Sequence, residues 1–390
     1  MPVIEQRQGN SAMKRFGVLI AAVAAFAAVP VAAKALVDCP LRDAPFSVSS
    51  PLIDIMLNDK ATAVLNRLAP GMTSWLPARL MGTTPPSFAS ILTMREAAGF
   101  LHRPALDLAP IDAELAKIPV TRADKIARCA RYDVAPPQLA IPTAAAGHPR
   151  ILLFEKINGF RDSPSVDAAH TALISMAQRK GWAIVTTEKG SAFTPAILRQ
   201  FDAVIWNNIS GDVLTLTQRR AFQSYMEHGG GFVGIHGSAG DPVYFWDWYV
   251  DGLLGARFLS HPMGPQFQDA KVNLEDSSHP AALGLPASWV MNEEWYSFRN
   301  NPRATGSRII ATLDEGTYKP EGMGGLNLRM GDHPIVWSRC IGSGNKPGRM
   351  FYSAIGHRPE RYSDAVYVQM LEQAIGWAAG SGGGACQSAK

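Results

Sequence analysis

Cysteine is scarce: Cys39, Cys129, Cys340 and Cys386 are the four in 390 residues, and no two stand in a C-x-x-C pair. That argues against a dithiol redox centre and against a thiolate zinc site. Charge is scarce too, at 18% of residues, with a net charge of +4. Most of that excess lies in residues 1–35, where Arg7, Lys14, Arg15 and Lys34 face only Glu5. The remainder is close to neutral and offers no electrostatic basis for binding nucleic acid. Long apolar runs are missing; the longest, Phe16 to Val29, is shorter than the ~20 residues of a stable membrane span. No G-x-G-x-x-G lies between the first strand and its helix, which disfavours a nicotinamide dehydrogenase.

What the chain does have is 47% hydrophobic residues with 28 Pro and 35 Gly, the composition of a loop-rich globular protein. Met13-Lys14-Arg15, the apolar run and Ala33-Lys34-Ala35 read together as a secretory signal over residues 1–35, cleaved near Ala33 or Ala35. The expected location is periplasmic or secreted. An even number of cysteines in an exported chain predicts disulfides, and of the three pairings the local ones, Cys39–Cys129 and Cys340–Cys386, are favoured.

Apolar spacing near 3.6 in Pro51–Leu57, Ala61–Leu68, Ser90–Phe100 and Ile111–Ile118 predicts a small helical module over residues 38–135. Residues 136–149, rich in Pro and Ala, read as a linker. From residue 150 to 380 short apolar strands alternate with helices: Ile151–Phe154, a helix from Val166 to Lys180, Trp182–Thr186, Ala203–Trp206, a helix from Thr217 to His228, and Phe232–Ile235. This is the pattern of an α/β domain with a doubly wound, mostly parallel sheet. A flexible tail, 381–390, is expected to follow.

Ligands of such sheets sit beyond the carboxyl ends of the strands. That rule selects Asn158, Arg161 and Asp162 after the first strand, and Asn207 with Asn208 after the third, as groups complementary to a hydroxylated or anionic molecule. An equal alternative makes Arg161 and Asp162 a loop contact capping the next helix. The run Gly229-Gly-Gly-Phe-Val-Gly-Ile-His-Gly-Ser238 predicts a tight strand-to-helix turn that thrusts His236 exposed into the crevice. Histidine there suits a general base or a metal ligand. His261, His279, Glu293, Glu294, Tyr296, Asp332, His333, His357 and Arg358 add imidazole, carboxylate and hydroxyl groups from dispersed loops.

The ordered blocks Gly229–Ser238, Gly255-Ala-Arg-Phe258 before His261-Pro262, His279-Pro280, Glu293-Glu-Trp-Tyr296, His333-Pro-Ile-Val-Trp337, Gly348–His357 and Ile375-Gly-Trp-Ala378 resemble the ThuA-like (trehalose utilisation) family. The resemblance implies a flavodoxin-like, amidotransferase-like fold in which His236 replaces the amidotransferase cysteine, so glutaminase activity is not expected. It also implies work on a disaccharide or 3-keto-sugar derivative alongside a sugar 3-dehydrogenase. Two positions depart from the family pattern: Glu293 stands where Asp is frequent, and Asp162 where many members carry His. The resulting expectation is a hydrolase or lyase. His236, His357 and Glu294 would be catalytic, with a divalent, zinc-like metal on His236, His261, Glu294 and His357. Asn158, Arg161, Asp162, Asn207, Ser238, Tyr296 and Arg358 would contact the sugar. A non-catalytic periplasmic carbohydrate-binding protein is the alternative.

Overall fold

The computed structural model describes residues 35–383 and Cys386, apart from 102, 104, 344 and 345. The expected signal segment lies outside these residues except for Ala35, as does most of the tail. No helix among the described residues is long and apolar enough to cross a membrane.

Five helices come first: α1 (Leu52–Met56), α2 (Asp59–Leu68), α3 (Met94–Phe100), α4 (Ala109–Leu115) and α5 (Arg122–Cys129). Their starts are written locally. Asn58 caps α2, and reciprocal caps of Thr93 with Glu96 and Thr121 with Asp124 open α3 and α5. Phe46, Leu52, Ile55, Leu65, Met94 and Leu115 form a fully buried cluster of their own. A disulfide joins Cys39 to Cys129, and a second joins Cys340 to Cys386. This helical region docks on the loop after the first strand, where Phe88 stacks on Phe160 and the Ser87 amide donates to the Asn158 carbonyl.

The remaining elements are β1 (Arg150–Phe154), α6 (Ser163–Lys180), β2 (Ala183–Thr187), α7 (Pro195–Leu198), β3 (Ala203–Asn207), α8 (Leu216–Glu227) and β4 (Gly231–Ile235). They are followed by β5 (Phe258–Ser260), β6 (Phe267–Leu274), β7 (Ser288–Glu294), β8 (Ser297–Phe298), β9 (Arg308–Leu313), β10 (Pro334–Ile341), β11 (Gly348–Ser353) and α9 (Ala365–Ala378). Nine strands share one sheet in the order β2-β1-β3-β4-β11-β10-β9-β6-β7, and β5 pairs with β8. The first five run parallel, in the 2-1-3-4-5 order of doubly wound sheets.

The expectation of a mostly parallel sheet needs correction. From β11 to β7 every pairing is antiparallel, so the sheet is mixed. The physical reason is visible in burial. β3 and β4 are buried on both faces, whereas β6 and β7 alternate buried with open positions, as antiparallel strands with one wetter face do. On a flat sheet β7 would lie about five strand spacings, ~24 Å, from β4. Its last residue, Glu294, nevertheless touches His236 just beyond β4. The antiparallel half therefore folds back over the carboxyl ends of the parallel strands, and this curl builds the site.

Two of the histidines singled out above are structural. His333 bridges the Glu315 carboxyl (2.8 Å) and the Tyr296 carbonyl (2.8 Å). His279 is buried edge-on to Trp377, and its Nδ1 accepts the Ala281 amide. Burial, aided by the charge of Arg308, pushes the His279 imidazole down to about 4. Its folded value lies below its unfolded value, so the unfolded chain binds the extra proton and stability is lost as pH falls from about 6.5 through 4. The limiting slope is about 1.4 kcal/mol per pH unit. His279→Asn keeps an acceptor for Ala281 and removes the titration. Melting temperatures between pH 4 and 7 are expected to fall less steeply in that variant than in the parent.

Candidate functional site

His236 follows β4 directly, at the tip of the predicted turn, with φ of 35°. Non-glycine residues rarely adopt the left-handed region, and such strain concentrates at functional sites. Asn208, beyond β3, is also left-handed, with φ of 53°. The two turns are laced together. Asn208 Oδ1 accepts the Gly237 amide at 3.1 Å, and Ser238 Oγ donates to the Trp206 carbonyl while accepting the Ile209 amide. Gly237 suits this approach, because a Cβ there would lie 3.3 Å from the Asn208 carbonyl oxygen and push the two turns slightly apart.

The His236 ring is 2% exposed rather than standing free in the crevice. Nδ1 donates to the Ala354 carbonyl at 2.7 Å, which leaves Nε2 as a lone pair. That lone pair faces Glu294 Oε2 at 3.2 Å and His357 Nδ1 at 3.1 Å, and the latter two are 3.0 Å apart. The Nε2 of His357 is directed at Asp162 Oδ2, 3.5 Å away. Three electron-pair donors thus converge with their outer atoms already engaged. A single proton cannot satisfy all three, whereas a cation can. Separations of 3.0–3.2 Å approach the edge, about 3.3 Å, of a tetrahedron around an ion held at ~2.0 Å. The backbone bond at Nδ1 is the outer partner that metal-binding imidazoles characteristically carry. The residues fit a divalent ion, and the structure holds a His/Glu/His cluster able to coordinate one.

Electrostatics follow from this packing. Burial would raise the Glu294 carboxyl, but the contacts of His236 and His357 outweigh it and hold it well below the usual carboxylate range. Burial lowers His236. Burial also acts to lower His357, yet its bond to Glu294 and the surrounding acids leave it raised. Glu293, fully buried, is pushed up to about 7 by desolvation, against the pull of three backbone amides it accepts, from Glu294, Gly356 and Arg358. Through Gly356 and Arg358 it clamps the loop that presents His357.

The other sequence candidates are distributed unevenly. Tyr296 stacks on the His236 ring at 4.1 Å between centroids. His261 lies one contact out from the converging donors: its Nδ1 donates to the Pro262 carbonyl and sits 3.3 Å from Glu294 Oε1, and its side chain is a quarter exposed. Asp162 occupies the first position before α6, beside His357 and bonded to Ser165. Asn158 is buried under the helical region, donating to the Asp212 carbonyl at 2.5 Å. Asn207 donates to Glu155 and Val166. Ser238 is spent on the turn, and Arg161 pairs with Asp167 on the outside. Arg358 is held by Asn292 and Glu360, above the Phe267 ring. The polar atoms of Asn158, Asn207 and Ser238 therefore lace loops together instead of lining the cluster. Sequence reasoning did not find Gln266, which donates to Glu294 Oε1, or Tyr362, which bonds the Gly356 carbonyl. Gln266 acts on a residue 28 positions away, and Tyr362, though six residues from Gly356, is tied to Asn208 154 positions away, so neither contact is written in a local pattern.

Known proteins place the chain in a family. Residues 150–378, more than half the chain, match the family model described as ThuA, trehalose utilisation. No curated protein matches. Among solved structures, a ThuA-like protein of Bacteroides uniformis is 28% identical over 61% of this chain and 94% of its own, with a TM-score of 0.51. A ThuA-like protein of Parabacteroides merdae is 18% identical over 60% of this chain and 90% of its own, with a TM-score of 0.43. The chain belongs to the ThuA, or trehalose utilisation, family.

Proposed function

We propose that this protein is an exported, metal-assisted hydrolase or lyase of a disaccharide or 3-keto-sugar derivative. The observation that carries the reading is the convergence of His236 Nε2, Glu294 Oε2 and His357 Nδ1 at the carboxyl edge of the parallel strands. These three residues would hold a divalent ion, which when bound supplies Lewis-acid polarisation of a substrate oxygen. Both ring nitrogens of His236 and of His357 are engaged, which favours holding a cation over bare acid and base work for that pair. His261 differs: Nδ1 is bonded, while Nε2 makes no hydrogen bond among the described residues. His261 Nε2 is the nitrogen left to take a proton from substrate.

In a 3-keto-glycoside the ketone acidifies the C2–H bond. Removing that proton lets the electron pair form C1=C2 as the C1–O bond breaks, and the departing oxygen takes up a proton. Such chemistry needs one base and one electrophile, not the paired carboxylates of ordinary glycosidases. The substrate would come from a sugar 3-dehydrogenase. Both disulfides and the leader-like residues 1–35 support export to the periplasm.

Elemental analysis of purified protein tests the centre, and incubation with trehalose and its 3-keto form, followed by product analysis, tests the reaction. One divalent transition metal per chain and cleavage of the keto form alone are expected. Metal-free protein overturns the metal reading. Tight sugar binding without product favours the binding-protein alternative.

A further inference from the structure

We infer that Asn208 is a positioning residue that sets the separation of His236 from His357; this rests on the reading of His236, Glu294 and His357 as a metal centre. The two imidazoles come from turns far apart in the chain, and Asn208 reaches both. Its Oδ1 accepts the amide of Gly237, the peptide that follows His236. Its Nδ2 donates to Tyr362 Oη at 3.3 Å, and that hydroxyl donates to the carbonyl of Gly356, the peptide that precedes His357, at 2.7 Å. A single carboxamide thus holds the backbone on either side of the ligand pair.

The orientation of the amide is determined by its surroundings. Only an oxygen can meet the Gly237 N–H, so Nδ2 must face Tyr362, and it also donates to Asn207 Oδ1 at 3.0 Å. Asn207 is itself anchored, donating to Glu155 Oε1 at 2.8 Å and to the Val166 carbonyl at 3.0 Å. Asn208, Tyr362 and Asn207 are all buried, where a lost partner is costly to leave unpaired. The left-handed backbone at Asn208 supports the assignment. Strain at a non-glycine position persists where the side chain is needed, and asparagine tolerates that region better than most residues. The Asn208 side chain makes no hydrogen bond to the convergent donor atoms, its partners being Gly237, Asn207 and Tyr362, so its action passes through the peptides it holds.

The test is zinc affinity, measured by competition with a chromophoric chelator on the metal-stripped full chain. Asn208→Gly keeps the left-handed backbone and removes only the amide. Zinc affinity is expected to weaken by about 10–100-fold, the usual effect of losing an outer partner of a metal site. The metal-free protein is expected to melt lower, because buried groups are left unpaired, so affinities are compared at a temperature where both proteins are folded. Tyr362→Phe cuts the second arm alone and is expected to weaken zinc binding by about 10-fold. The double variant should bind no more weakly than Asn208→Gly, because both changes break one chain of contacts. Unchanged affinity in Asn208→Gly, or fully additive losses in the double variant, overturns the inference while leaving the metal centre intact. If Asn208→Gly does not fold, Tyr362→Phe carries the test, and unchanged affinity there overturns it. A parent protein that binds no zinc overturns the centre and this inference together.

Discussion

Replacing His236 with alanine is expected to strip the protein of its divalent metal and to lower turnover of a 3-keto-disaccharide by about 100-fold or more, beyond the loss from disturbing an outer partner alone. Nε2 is one of three donors within 3.2 Å of one another, and the other two cannot enclose an ion from one side. His236 is left-handed at φ 35°, where alanine is strained, so lost activity alone could reflect a disturbed turn. His236→Asn separates the effects: asparagine tolerates that backbone but is too short to place a donor where Nε2 stands. Both variants should lose metal by elemental analysis, while His236→Asn should melt close to the parent. Full metal content in His236→Asn would remove His236 from the centre.

The second large effect concerns stability. Cys39–Cys129 spans a separation of 90 residues, and closing a loop of that length restrains the unfolded chain by about 4–5 kcal/mol in the chain-entropy model. Replacing both cysteines with serine is expected to cost roughly 2–5 kcal/mol, read as a lower denaturation midpoint. Metal content should be unaffected, because the bond ties α5 to the start of the helical region and neither cysteine is part of the hydrogen-bonded clamps on His236 and His357. A variant that unfolds at the parent midpoint would show that the buried cluster around Phe46 and Leu52 holds the region without the cross-link.

The two effects also mark what could be read from residues alone. Both favoured disulfide pairings are those that form. The helix expected from Val166 to Lys180, which begins three residues earlier at Ser163, and the strand runs at Ile151, Ala203 and Phe232 follow from local periodicity. So does the turn at His236, where Gly237 lies against the Asn208 backbone, while Gly234 makes room for the Phe232 and Tyr352 rings. Asn158 and Asn207 satisfy the strand-end rule in sequence but sit beneath the helical region and α6, where buried amides must find protein partners. Nothing local distinguishes a loop that faces a crevice from one that another part of the chain will cover.

Sequence by itself determined which residue types meet the chemistry: a histidine on a strained turn, an acidic pair and a second histidine after a buried strand. Tertiary structure alone decided that His236, Glu294 and His357 meet, that His261 stands one contact away, and that Glu293 and Asn208 hold the frame. The reason is the curl of the antiparallel half of the sheet. Period and propensity report on a few residues at a time, whereas the path of β6 to β10 back over β4 is set by how whole faces bury against one another.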